Sequence, residues 1–94
     1  KLVEDIISRY NSHYGFFYNK IRIKNQKTRW GSCSEDRNLN FSYRLVYMPL
    51  YMAEYIVVHE LCHLKELNHS AKFWDLVKQT IPEYEKIEQE LKKC

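Results

Sequence analysis

The sequence predicts an α+β domain: an N-terminal helix, a small antiparallel sheet, a long helix and two further C-terminal helices. Two observations carry this expectation. Apolar residues recur at helical spacing near the N-terminus and through the second half of the chain. Between those regions, apolar and polar residues alternate as they do in half-buried strands.

The first helix is read from "LVEDIISRYNSHYG", with apolar side chains at 2, 3, 6, 7, 10 and 14 and Gly15 as its stop. "FFYNKIRIKN" then alternates, Ile21 and Ile23 facing one way and Arg22 and Lys24 the other. "QKTRWGSCS" continues extended, and Gly31 in it marks a bulge or a close approach of backbone. "SEDRN" is a turn. "LNFSYRLVY" reads as the clearest strand, with Leu39, Phe41, Tyr43, Leu45 and Tyr47 on one face. Pro49 opens the long helix at a first-turn position, where its missing N–H is harmless. Ala53, Ile56, Val57, Leu61, Leu64 and Leu67 form its apolar stripe. Ser70 is a good N-cap for the next helix, which carries Phe73, Trp74, Leu76 and Val77. The last helix follows Pro82. Repeats, linkers and low-complexity segments are absent, so residues 1–94 form one small domain. The chain starts at Lys1 rather than Met, which reads as part of something longer.

With 45% apolar residues a core is within reach, but chains this short bury a modest share of their surface, and a bound metal would help stabilise the fold. Three cysteines (Cys33, Cys62, Cys94) without CxxC spacing do not make a secreted disulfide framework. There is neither a signal peptide nor an apolar run near 18 residues, so the expectation is a soluble cytoplasmic protein without a membrane partner. The net charge of +3 is mild, but it is unevenly spread. From Lys20 to Arg29 there are five basic residues (Lys20, Arg22, Lys24, Lys27, Arg29) and no acidic one. This is either the solvated face of a strand or an electropositive patch for nucleic acid or phosphorylated substrates.

The chemistry concentrates in "VVHELCHLKELNH", residues 57–69, which holds three of the four histidines. His59 and His63 are four residues apart. On a helix that is a turn of about 400° and a rise of about 6 Å, so both rings leave the same side. Two imidazole nitrogens can then meet one zinc ion at about 2.0–2.1 Å. Glu60 is rotated by about 100° from His59 and can reach a water on the metal without becoming a ligand. This H-E-x-x-H spacing is a zinc-hydrolase signature. His69 lies six residues beyond His63; on a continuous helix it would be rotated by about 240° and lifted by about 9 Å, out of reach. For a third ligand the helix must end and the chain turn back. Asn68, which tolerates the left-handed conformation, and Ser70, which restarts a helix, supply the means. Three neutral imidazoles leave the metal its charge and an open fourth position. His13 stands alone and is read as structural.

Arg29, Tyr43, Arg44 and Tyr84 are candidates for stabilising charge that develops on a substrate, Arg29 and Arg44 above all because their strands should flank the cleft. Trp30, Phe73 and Trp74 are read as core, and Cys62 as a small buried filler. Cys33 is read as a packed strand residue, with an approach to the site as the other option.

The metzincin pattern has a glycine three residues after the second histidine; here that residue is Glu66. A fuller likeness runs through "TRWGSCS", "LNFSYRLVYMP", "YIVVHELCHLKELNHSAKFW" and "PEYE". In these four motifs, in this order, the chain resembles the YgjP-like metallopeptidase family, itself related to WLM and SprT-type zincins. The resemblance implies a zincin-like minimal fold, zinc on His59, His63 and His69, and Glu60 as acid/base. It also implies a C-terminal catalytic domain, since family members carry a further β-rich N-terminal part. The leading expectation is a zinc-dependent metallopeptidase acting on peptide or protein. One alternative is a zinc-dependent nucleotide pyrophosphatase, an activity attributed to a member of the family, with Lys20, Arg22, Lys24 and Lys27 on the phosphates. The other is a non-catalytic zinc-containing module that binds DNA or protein.

Overall fold

A computed structural model describes residues 2–25 and 29–93. Lys27 therefore lies outside the described residues. In chain order the elements are α1 (Leu2–Tyr14), β1 (Lys20–Lys24), β2 (Gly31–Cys33), β3 (Asn38–Ser42), a 3-10 turn (Tyr43–Tyr47), α2 (Leu50–His63), α3 (Ala71–Thr80) and α4 (Tyr84–Lys93). The α+β class is as expected.

The sheet is mixed, not antiparallel. Its strand order is β1-β3-β2. β2 pairs antiparallel with β3, while β1 pairs parallel with β3, Ile21 opposite Leu39 and Ile23 opposite Phe41. The cause is placement. The chain reverses direction twice between β1 and β3, so first and third strands run the same way. Because β3 inserts between the other two, that pair is parallel. The β2–β3 hairpin closes through Ser34–Asn38, with Arg37 in the left-handed region (φ 64°) and its N–H on the Ser34 carbonyl at 3.0 Å. Leu39 and Phe41 face the core and are fully buried.

The predicted strand through Tyr47 stops at Ser42. The Ser42 hydroxyl accepts a hydrogen bond from Arg44 N–H at 3.2 Å and starts a 3-10 turn, a side-chain bond competing with the sheet ladder. The alternation from Tyr43 onward misled because the turn buries only Leu45; Tyr43, Val46 and Tyr47 are exposed.

α2 is the axle of the molecule. Pro49 is its cap residue rather than its first turn, and its carbonyl accepts from Met52 and Ala53 N–H. Met52, Tyr55, Ile56, Val57, Val58, Leu61 and Cys62 are all buried, which is most of the circumference rather than one stripe. α1, the sheet, α3 and α4 each pack against it. α1 adds Val3, Ile6 and Ile7 to the core and ends at Gly15, whose φ of +67° suits a glycine stop. Arg9 anchors α1 to α2 by an ion pair with Glu54 at 2.8 Å. His13 bonds Gln79 at 2.9 Å. Cys62 is a buried filler as expected. Among the described residues, no helix is long and apolar enough to cross a membrane.

Gly31 makes the close approach that its position in the sequence suggested. A Cβ there would stand 3.1 Å from the Asn40 carbonyl oxygen, 3.1 Å from the Phe41 ring and 3.2 Å from Glu60 Cγ. β2 thus lies directly over Glu60 because residue 31 has no side chain. Gly31→Ala should destabilise the domain by about 1–3 kcal/mol through overpacking; urea denaturation of the purified variant against wild type measures this.

Candidate metal centre

α2 ends at His63, five residues before the corner expected at Asn68. Leu64 N–H bonds the Leu61 carbonyl at 3.0 Å, and Lys65 and Glu66 N–H both return to the Cys62 carbonyl. The reversal is made by tight local bonds. Asn68 is not left-handed; Arg37 is the one described non-glycine residue with positive φ. Leu67, expected on the apolar stripe, is 62% exposed because the helix has already ended. Ser70 does hold the N-cap position of α3, with extended backbone but no side-chain capping bond.

This early stop brings His69 back over the end of α2. The Nε2 atoms of His59, His63 and His69 lie 3.1–3.2 Å from one another. Among the described residues they are the cluster whose ligand atoms are close enough to hold a metal ion. A hydrogen-bonded triangle of neutral rings does not explain the spacing. His63 Nδ1 lies 3.0 Å from the Glu66 carbonyl, which can only accept. His63 therefore carries its proton on Nδ1 and presents a lone pair at Nε2. A neutral Nε2 either donates or accepts, so hydrogen bonds account for at most two of the three edges, whereas a cation at the centre accounts for all three. Ligand nitrogens about 2.0–2.1 Å from a tetrahedral zinc ion stand roughly 3.3–3.4 Å apart. The observed triangle fits a metal ion of that size.

Phe73 is the floor of the site. Its buried ring lies 5.0 Å from His59, 4.4 Å from His63 and 5.0 Å from His69, centroid to centroid, stacked on His63. Trp74 stacks on His69 at 5.8 Å, and Tyr84 stacks on Trp74 at 4.9 Å. The aromatic residues read as core are core, and two of them also hold the imidazoles.

Burial lowers the His59 imidazole to about 3, and the neighbouring His63 and His69 add to the effect. Burial likewise lowers His63. Both rings are neutral at physiological pH, the form that binds metal. Burial raises the Glu60 carboxyl to about 8, against an opposing pull from Arg29. A cation among the imidazoles would draw it back toward the ionised form.

Two cavities meet at this point. One, of about 310 Å3, is lined by Arg29, Ser32, Cys33, His63, Leu67 and His69. The other, of about 290 Å3, is lined by Trp30, Tyr55, Ile56, Glu88 and Leu91. Arg29, Gly31, His59 and Glu60 line both. Cys33 faces the cleft, the option given less weight from the sequence. Burial pushes its thiol up to about 11, so it stays protonated at neutral pH.

The remaining sequence candidates separate. Arg29 is in the cleft. Tyr43 lies on the 3-10 turn and lines a different groove, with Leu2, Val3 and Ile23. Arg44, also on that turn, covers the Trp30 ring at 5.2 Å. Tyr84 reaches the site only through Trp74. Lys20, Arg22 and Lys24 are exposed on β1, across the sheet from β2, and line neither cavity. Tyr55 and Glu88 were not singled out by sequence, although Tyr55 stands four residues before His59 on the same helix face, a spacing that could have flagged it.

Among solved structures, the chain resembles the crystal structure of the metallopeptidase zymogen of Pyrococcus abyssi abylysin, with TM-score 0.84 and 25% identity over 95% of this chain and 90% of that one. It also shares its fold with the metallopeptidase zymogen of Methanocaldococcus jannaschii jannalysin, with TM-score 0.83 and 24% identity over 97% and 94% of the two chains. No curated protein matches the sequence. The sequence model described as "YgjP-like, metallopeptidase domain" matches residues 1–94, and the chain therefore belongs to the YgjP-like metallopeptidase domain family.

Proposed function

We propose that residues 1–94 form one catalytic domain, a zinc-dependent peptidase with His59, His63 and His69 as metal ligands and Glu60 as general base. The observation that carries this reading is the triangle of imidazole nitrogens beside a buried carboxyl in a cleft. A structural zinc site has four protein ligands and no use for such a carboxyl. Neutral imidazoles favour zinc among the available divalent ions.

Zinc, when bound, supplies Lewis-acid polarisation of the scissile carbonyl and acidifies a water. The chain does the rest. Glu60 takes a proton from the attacking water and returns it to the departing amine. β2 holds Glu60 from above through the contact at Gly31. Arg29, at the junction of the two cavities, is positioned to stabilise negative charge developing on the substrate. Phe73 and Trp74 keep the ligand rings in place.

A polypeptide suits the cleft better than a nucleotide does. The two cavities run in series past His59 and Glu60, so a long ligand can pass across the centre. Among the described residues, β2 pairs with β3 on one side only, and its other edge is one along which an extended peptide can pair. The basic side chains of β1 line neither cavity.

Metal analysis and turnover test the roles separately. His63→Ala should lose bound metal. Glu60→Gln should keep it while cleavage of an unfolded protein substrate falls by about 10²–10⁴-fold. Phosphate release from nucleotides, assayed in parallel with and without chelator, should stay at background. Chelator-sensitive nucleotide turnover without proteolysis would overturn the peptidase reading.

The metal-free protein should show a distinctive pH dependence of stability. His59 binds its proton more weakly folded (about 3) than at its ordinary value of 6.5, so stability from this group falls as pH drops below 6.5. Glu60 binds its proton more tightly folded (about 8) than at its ordinary 4.5, so stability from it falls as pH rises toward 8. Between pH 6.5 and 8 only the Glu60 effect remains. Thermal unfolding with chelator present should show stability declining across that window, and Glu60→Gln should flatten it.

A further inference from the structure

Two of the three imidazoles are backed by the same helix. Tyr84 and Glu88 are four residues apart on α4 and share a face. Tyr84 supports His69 through the Trp74 ring. Glu88 reaches His59 through Tyr55: the Tyr55 hydroxyl donates to Glu88 Oε2 at 3.3 Å and lies 3.5 Å from His59 Nδ1. His63 relies on α4 for neither contact, its Nδ1 being held by the Glu66 carbonyl.

We propose that Tyr55 and Glu88 are positioning residues for the metal centre, Glu88 fixing the tautomer and orientation of the His59 ring through the Tyr55 hydroxyl. This rests on the reading of His59, His63 and His69 as metal ligands. The assignment follows from counting hydrogens. An ionised carboxylate has none to give, and a phenol has one. With that hydrogen on Glu88, the Tyr55 oxygen offers His59 only a lone pair. His59 must then carry its proton on Nδ1, which leaves the Nε2 lone pair free for metal. Without Glu88, the hydroxyl can turn and donate to Nδ1. That selects the opposite tautomer, with an N–H at Nε2 aimed at the other two ligands. Tyr55 is 3% exposed, so solvent does not readily replace the lost partner. Lys92 lies 3.9 Å from Glu88, one turn along α4. Metal-ligating histidines commonly need such a partner on their second nitrogen. Here it is delivered from a different helix through an intervening hydroxyl.

The test is zinc affinity, measured by competition with a chromophoric chelator, together with the visible absorption spectrum of the cobalt-substituted protein. Tyr55→Phe removes the hydroxyl and Glu88→Leu removes its acceptor, and neither adds a hydrogen-bonding group. Each should weaken zinc binding by about 10–100-fold and alter the cobalt spectrum, while the unfolding midpoint of the metal-free protein stays near wild type. Because the two act in series, the double variant should bind about as tightly as the weaker single. Tyr51→Phe is the control, since Tyr51 donates to Glu90 of α4 at 2.7 Å on the exposed surface; it should bind zinc as wild type does. Wild-type affinity in both Tyr55→Phe and Glu88→Leu overturns the inference, as does a double variant whose loss is the product of the singles, or a Tyr51→Phe loss of equal size. A wild-type protein that binds no transition metal overturns the metal centre itself and this inference with it.

Discussion

Three imidazole nitrogens aimed at one point are the constraint on which the rest of the structure depends. At 3.1–3.2 Å separation hydrogen bonds between neutral rings can satisfy at most two of the three edges, so the fold must hold the rings there by other means. It uses a different means for each ring. His59 sits on a rigid, nearly all-buried helix. His63 occupies the last position of that helix and is tied to a carbonyl of the following turn. His69 is carried in on the turn itself, against Trp74. Phe73 lies beneath all three, so the packing of α3 supports the whole triangle.

The same economy explains why a small chain buries a carboxylic acid. Glu60 is 7% exposed and faces Gly31 of the sheet. A buried acid costs stability unless it is neutral or meets a positive charge. In the metal-free protein it is raised to about 8 and so largely neutral near pH 7. The site is therefore strained electrostatically in a way that a cation relieves, and the fold and the metal centre stabilise each other.

Much of this was legible in residue order, for identifiable reasons. The i, i+4 histidines and their glutamate sit inside one helix, where spacing converts directly to geometry. The need for a chain reversal before His69 was equally forced. How the chain reversed was not legible, because it depends on backbone bonds to Leu61 and Cys62 carbonyls that any residues could make. Asn68 looked like the special residue and is not. The sheet shows the same limit: alternation located β1 and β3 but carried no information on which strand would be central, and hence none on parallel pairing. Beyond Ser42, alternation matched a 3-10 turn by coincidence. Arg44 and Tyr43 were placed beside the cleft only because that strand was extended too far. Tyr55 and Glu88 are 33 positions apart, and their meeting is a product of tertiary packing.

The backing of the three ligands is unequal. His59 and His63 are partly or wholly buried and each has a partner on its second nitrogen, whereas His69 is exposed and, among the described residues, packs against aromatic rings. The least anchored ligand thus stands on the open side of the centre. With the proposed ligand set, an ion would enter and leave on that side, where a short surface turn carries His69, while His59 and His63 stay fixed by the buried helix α2.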